Sequence, residues 1–238
     1  MAASVQLFLD TASLIELKKY LAWGVIDGVT TNQKIFAMEK NCPFEQRIRD
    51  ICAMTDGPVS VETTSHSYDE LIEEGRYYRS LAPNVVVKVA MYKDGTGLRV
   101  VKTLASEQIP TNVTTLMSAR QALLAAKAGA TYVSLFYRRI KDAGQDPERE
   151  IRLCAEFLAR GDMPTQIIAG SIREPQDVVD AAVAGAHIVT VPPKILEQMP
   201  YHAKTEDTIQ EFDRAWVEFL SGNGEAQPSQ TIYGGARR

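Results

Sequence analysis

At 238 residues the chain is long enough for one large α/β domain, and 45% hydrophobic with 24% charged residues is ordinary for a soluble globular protein. Its 26 Lys plus Arg against 30 Asp plus Glu give a formal charge of −4, which argues against a nucleic-acid or anionic-membrane partner. Cys42, Cys52 and Cys154 form an odd set without CxxC spacing, which points to reduced thiols and away from a disulfide framework or a metal site.

In chain order, short apolar runs alternate with amphipathic stretches. A strand is expected at 5–9 and a helix at 13–23, then a strand at 28–31 and a helix at 43–54. A strand at 59–63 precedes a helix at 68–81. The alternation continues with strands at 85–89, 110–115, 131–136, 166–169 and 187–191, separated by helices at 98–107, 119–128, 147–160 and 175–184. Start signals agree: Ser67 and Glu70 have capping-box spacing, and Pro147 and Pro175 suit first-turn positions. Gly129 and Gly185 each fall where a helix should stop before the next strand.

Eight strands in strict alternation with helices predict a parallel sheet, and eight is the count that closes a (β/α)8 TIM barrel. A doubly wound open sheet is the alternative. No GxGxxG or GxxxxGK[ST] is present, which weakens a dinucleotide or nucleoside-triphosphate reading. Pro192-Pro193 breaks the chain, and helices at 194–199 and 207–220 follow, the second an addition to the barrel. One domain is therefore expected over 1–220, with a loosely ordered Gly-, Ser-, Gln- and Arg-rich tail at 221–238. The first residues carry no signal-peptide pattern and no apolar run approaches a membrane span, so the expected location is the cytoplasm.

In a barrel the chemistry gathers at the C-terminal ends of the strands. Lys88 closes the run Asn84-Val-Val-Val-Lys88, a strand apolar enough to be buried on both faces. Poor hydration there favours the neutral amine, which can attack a carbonyl. The other strand ends supply Asp10, Thr31-Asn32, Glu62, Asn112 with Thr114, Ser134, and Ser171 with Arg173. Each has a structural reading as well: Asp10 as a helix cap, Asn32 as a turn residue, Glu62 as an exposed strand position. Arg173 could form a surface ion pair with Glu174 or Asp177, and Arg138-Arg139 a solvated turn. Converging on one mouth, they supply a nucleophile, two carboxylates for proton transfer, neutral groups for sugar hydroxyls, and arginines on late loops for a phosphate.

The ordered set Leu9-Asp-Thr-Ala12, Gly28-Val-Thr-Thr-Asn32, Val59-Ser-Val-Glu62, Val86-Val-Lys88, Thr111-Asn-Val-Thr114, Tyr132-Val-Ser134, Ser171-Ile-Arg173 and Thr190-Val-Pro-Pro-Lys194 resembles the small transaldolase and fructose-6-phosphate aldolase family. The resemblance implies a class I aldolase-type barrel with no metal and no organic cofactor. Lys88 would then be the Schiff-base lysine and Asp10 the acid/base for carbon–carbon cleavage. Glu62 and Thr114 would hold the water that shuttles protons. Asn32, Asn112 and Ser134 would contact the dihydroxyacetone unit, and Arg139, Ser171 and Arg173 the phosphate. The resemblance also implies sugar phosphate substrates, a place in carbohydrate metabolism such as the pentose phosphate pathway, and homo-oligomers, pentameric or decameric.

The chain departs from the family pattern at Gln33-Lys34, usually Pro-Ser, and at Ala90, usually proline. Phe136-Tyr-Arg-Arg139 stands where Phe-Val-Gly-Arg is usual, and Lys141 where an aspartate is usual. Lys34 and Arg138 would either decorate the rim or select a more anionic sugar. The leading reading is a transaldolase transferring a dihydroxyacetone unit between sugar phosphates. The alternatives are an aldolase releasing free dihydroxyacetone, a specialised transaldolase for a more anionic substrate, and a silent phosphosugar-binding barrel. Glu62 weighs toward transfer, because the aldolase branch has a neutral glutamine there.

Overall fold

The computed structural model describes residues 5–40 and 42–222. The first half runs β1 (Gln6–Asp10), α1 (Leu14–Leu21), β2 (Gly28–Thr30), α2 (Gln33–Phe36), α3 (Phe44–Met54), β3 (Val59–Glu62), α4 (Tyr68–Leu81), β4 (Val85–Ala90) and α5 (Thr96–Ser106). It continues with β5 (Thr111–Leu116), α6 (Ala119–Ala128), β6 (Tyr132–Phe136), α7 (Tyr137–Asp142), α8 (Pro147–Arg160) and β7 (Gln166–Gly170). The last elements are α9 (Pro175–Val183), β8 (Ile188–Val191), α10 (Pro193–Gln198) and α11 (Ala203–Gly222). The strands pair in sequence order and all in parallel, and β8 pairs back with β1 from Gln6↔Ile188 to Leu9↔Val191. That closure makes a (β/α)8 barrel with an added C-terminal helix, and it removes the open-sheet alternative.

Residue parity organises the strands. Odd-numbered positions such as Leu9, Val29, Val61, Val87, Val113, Val133, Ile167 and Val189 are fully buried. With a period of two, they form the layer between sheet and helices. Each fully buried Val or Ile stabilises by roughly 1.5–3 kcal/mol, so this layer is the main core. Even-numbered positions point along the barrel axis and divide by height. Phe8, Ile168 and Ile188, with Tyr132 against them, plug the floor. Above them the inward residues turn polar: Thr30, Ser60, Asn112, Ser134 and Thr190 are all buried.

The local signals act as their chemistry requires. Ser13, Ser67 and Asp146 cap α1, α4 and α8 through their side-chain oxygens, and Pro147 and Pro175 stand in the first turns of α8 and α9. Gly129 and Gly185 end α6 and α9 at φ +99° and +110°, where a side chain would be strained. An added Cβ would also meet Ala105 at 3.1 Å and Ala155 at 3.0 Å, so both junctions are tightly packed. Two short helices, α2 and α7, occupy segments expected to be loops, being too brief to show a helical period. In β5 the register with β6 slips by one residue between Val113 and Leu116, where Thr115 adopts φ +61°. Such a bulge re-aims a side chain.

The described residues divide into two compact units, with the boundary between Leu196 and Glu197. Within the second, α11 is longer at both ends than the expected 207–220. Its last turn takes in Ser221 and Gly222 of the expected tail. The remainder of that tail, 223–238, lies outside the described residues. Along α11, Ile209, Phe212, Trp216 and Leu220 recur at three- and four-residue spacing, and the Trp216 and Phe219 rings stack at 5.4 Å. Among the described residues no helix is long and apolar enough to cross a membrane.

Candidate active site

A cavity of about 810 Å³ opens where the strands end, lined by residues of all eight. Its walls include Asp10, Thr30, Glu62, Lys88, Thr114, Ser134, Gly170 and Thr190, an even-numbered residue from the C-terminal half of each strand. The register places Glu62 beside Lys88, so the amine and the carboxylate arrive on one face by strand pairing alone. Lys88 is 5% exposed, its Nζ is 3.1 Å from Glu62 Oε2, and it donates to the Thr31 carbonyl at 3.0 Å. The odd-numbered neighbours Val87 and Val89 anchor its strand in the outer core.

Asp10 stands across the same cavity. Burial pushes its carboxyl above the ordinary carboxylate range. The nearby Lys88 ammonium and a hydrogen bond from Thr30 pull it down, while the Glu62 charge adds to the rise. Thr30 Oγ1 donates to Asp10 Oδ1 at 2.6 Å and lies 2.5 Å from Thr190 Oγ1. Neither threonine was singled out by sequence reasoning for a role, although both lie inside quoted motifs. The usable signal was parity, since both are polar at positions that face the axis.

The remaining expected residues divide. Asn32 lines the cavity and caps α2, its Oδ1 accepting from the Ile35 N–H at 3.0 Å. Ser134 also lines it, and its hydroxyl donates to Asn112 Oδ1 at 2.8 Å, leaving the oxygen free to accept. Asn112 itself is fully buried below the lining, with its amide donating to Ser60 at 3.1 Å. It therefore orients Ser134 and does not reach the cavity. Arg139 and Ser171 both line the wall, the former with its guanidinium over the Phe136 ring, the latter at φ +60°. Such a backbone costs of order 1–3 kcal/mol and recurs at functional turns. Arg173 lies outside the lining and pairs with Asp142 at 2.8 Å. Thr115, Phe136 and Lys194, none of them expected in the site, line it as well.

Of the two cations expected at the mouth, only Lys34 lines it. Arg138 is turned away. Its guanidinium lies 2.6 Å from Asp177 and also pairs with Glu174, with only 15% of its side chain exposed. Asp177 in turn accepts the Arg173 and Glu174 N–H groups at the start of α9. The partners assigned in sequence to Arg173 thus belong to Arg138, which is a strut between α7 and α9.

The sequence pattern of the Transaldolase/Fructose-6-phosphate aldolase family matches residues 7–225. The chain belongs to that family. A probable transaldolase of Kosmotoga olearia is 44% identical over 220 residues, 92% of this chain and 100% of that protein. One from Caldicellulosiruptor saccharolyticus is 46% identical over 220 residues, again 92% and 100%. One from Bacillus cereus is 45% identical over 212 residues, 89% and 97%. The family match thus includes all eight strand ends around the cavity.

Proposed function

We propose that this chain is a transaldolase that moves a dihydroxyacetone unit between sugar phosphates through an imine on Lys88. The observation that carries the reading is the buried Lys88 amine, 3.1 Å from the Glu62 carboxylate, in a cavity that Asp10 also lines. The names of the relatives support it.

An ammonium must lose a proton before it attacks, and Glu62 is a base within hydrogen-bond reach of Lys88. The amine adds to C2 of the ketose phosphate. Water then leaves the carbinolamine, its protons moved by a water held between Glu62 and Thr114. The Thr114 hydroxyl is buried with no protein partner among the described residues, which suits it to that part. Asp10 takes the C4 hydroxyl proton, and the C3–C4 bond breaks to release an aldose phosphate. The bond's electron pair flows into the protonated imine and leaves an enamine, which adds to the carbonyl carbon of the acceptor aldehyde. Hydrolysis of the new imine frees the product. Asn32 and Ser134 hold the three-carbon unit, with Asn112 steadying Ser134. Arg139 and Ser171 take the phosphate from the wall of the cavity, while Arg173 joins by leaving Asp142. Selection for a more anionic substrate rests on Lys34 and not on Arg138, and it fades with salt. Comparing kcat/KM for mono- and bisphosphorylated substrates in Lys34→Ser at low salt checks that point, an unchanged ratio counting against it.

Borohydride reduction with fructose 6-phosphate should leave a three- or six-carbon adduct, mapped by peptide mass to Lys88. Lys88→Arg should abolish turnover, because a guanidinium stays protonated. An adduct on another lysine, or full activity in the arginine variant, sinks the reading. Glu62→Gln should slow transfer by roughly 10²–10⁴-fold, the usual scale of acid–base catalysis.

The family match crosses the boundary at residue 196 without a break, which supports treating 1–220 as one functional domain. The apolar stripe of α11 fits a subunit contact in a ring-like homo-oligomer. Cys42, Cys52 and Cys154 are all unpaired, which suits a reducing cytoplasm, and dihydroxyacetone transfer between sugar phosphates suits the pentose phosphate pathway.

A further inference from the structure

We propose that Thr190 is a positioning residue: its hydroxyl donates to Thr30 and so strengthens the hydrogen bond by which Thr30 holds Asp10 Oδ1 and supports the ionised carboxylate. The inference rests on the transaldolase reading and concerns its carbon–carbon step alone.

The argument is a proton count. Thr30 Oγ1 lies 2.6 Å from Asp10 Oδ1 and 2.5 Å from Thr190 Oγ1, and both threonines are buried, 2% and 6% exposed. A hydroxyl owns one proton. When Asp10 is ionised it has none to give, so the proton of Thr30 goes to Oδ1. The second short contact then needs Thr190 as donor, because two oxygens without a proton between them would repel. The chain runs one way, from Thr190 through Thr30 to Asp10.

Topology makes this arrangement specific. Asp10 is on β1, and the two threonines come from β2 and β8, the strands that flank it on either side. They meet inside the barrel above Phe8, whose ring fills the space left by the missing side chain of Gly28. With the Thr30 proton directed at Oδ1, Oδ2 is the more basic oxygen and takes the substrate's proton. Chained hydroxyls polarise one another, and Thr190 thereby strengthens the hydrogen bond that favours the ionised carboxylate. Among the charges facing Asp10, Lys88 of β4 favours ionisation and Glu62 of β3 opposes it. Glu16, Lys34, Glu39, Arg139 and Lys194 line the rest of the cavity and are untouched by the test below.

The test compares Thr190→Val, Thr190→Ala and Thr190→Ser with the parent. Removal of the hydroxyl should lower the single-turnover rate of carbon–carbon cleavage roughly five- to tenfold, the scale of one neutral hydrogen bond. The acid limb of the kcat/KM profile should move to higher pH, because the ionised carboxylate loses support. Borohydride trapping on Lys88 and KM should stay close to the parent, since neither involves this chain of hydroxyls. Thr190→Ser should restore both the rate and the profile. The alanine variant serves if the buried valine disturbs folding, and the serine variant reads the hydroxyl without changing the packing much. The proposal is overturned if the valine and alanine variants keep the parent's acid limb and cleavage rate, or if serine fails to rescue. Absence of any trapped adduct in the parent would instead remove the transaldolase reading, and this proposal with it.

Discussion

Asp10 is held between opposing influences, burial raising its affinity for a proton while the Lys88 ammonium and the Thr30 hydroxyl lower it. The net rise has a consequence for stability. Because the folded carboxyl binds its proton more tightly than the unfolded one, the fold loses stability as pH climbs past 3.8 toward the higher folded value, and above that the loss is complete. Asp10→Asn should therefore abolish transfer yet keep or raise the melting temperature at neutral pH, an advantage that vanishes in acid. A variant less stable than the parent at pH 7 would show that attraction to Lys88 outweighs burial. At this scale the sequence was most informative. Asp10, Glu62 and Lys88 stand out because a charge at the end of an apolar run is costly to desolvate and is seldom placed there without a task. Asn112 and Arg173 did not resolve in the same way. Asn112 faces inward one layer too deep, and Arg173 has an Asp142 partner contributed by α7, a helix too short to foresee. That geometry predicts unequal arginines. Arg139→Ala should raise KM for phosphorylated substrates about tenfold, the value of a charge-assisted hydrogen bond, and Arg173→Ala should raise it less. Equal effects would mean that Arg173 swings fully onto the phosphate.

Among the elements, α7 and α9 are joined by Arg138, whose ion pairs with Asp177 and Glu174 hold it away from the mouth, where it was expected either to decorate the rim or to select an anionic sugar. Asp177 has only 3% of its side chain exposed, so removal of Arg138 leaves a buried carboxylate with only backbone donors. Breaking such a pair costs about 3 kcal/mol. Arg138→Ala should thus lower the melting temperature by roughly 6–12 °C in a domain of this size, with KM for phosphorylated sugars little changed. A large KM effect with intact stability would return Arg138 to the mouth. The eight strands and the long helices were readable because their periods run over several turns or residues. The helices α2 and α7 were not, since four and six residues are too few for a period and neither starts at a proline, as the equally short α10 does. The β5 bulge was invisible for a different reason: it is a relation between two strands, and nothing in the composition of either one announces it.

At the level of the whole barrel, the seam between the last strands and the first is tied by His187. Its ring Nδ1 accepts the Ile167 N–H at 3.1 Å, its own N–H donates to the Ile167 carbonyl at 3.1 Å, and its carbonyl accepts from Gln6 at 2.9 Å. Burial lowers the ring's affinity for a proton, and only the neutral ring can accept there. A histidine with a depressed folded value contributes stability that is present above the unfolded 6.5 and is lost as pH falls from there. The urea midpoint should drop between pH 7.5 and 5, and His187→Asn, whose carbonyl oxygen could accept the same N–H at any pH, should flatten that part of the curve. The division of each strand by parity reaches further than chemistry or stability. For a lineage under selection, it lets two traits be inherited in one stretch of five residues yet vary independently. A change at an even position above the floor rewrites what the enzyme recognises, and a change at an odd one rewrites how firmly it folds. Thr115 breaks that separation, for among the described residues it is the single odd-numbered strand position on the cavity wall. Mutations there should be the ones that alter specificity and stability together, and a library built on this barrel would do well to leave it out or to study it by itself.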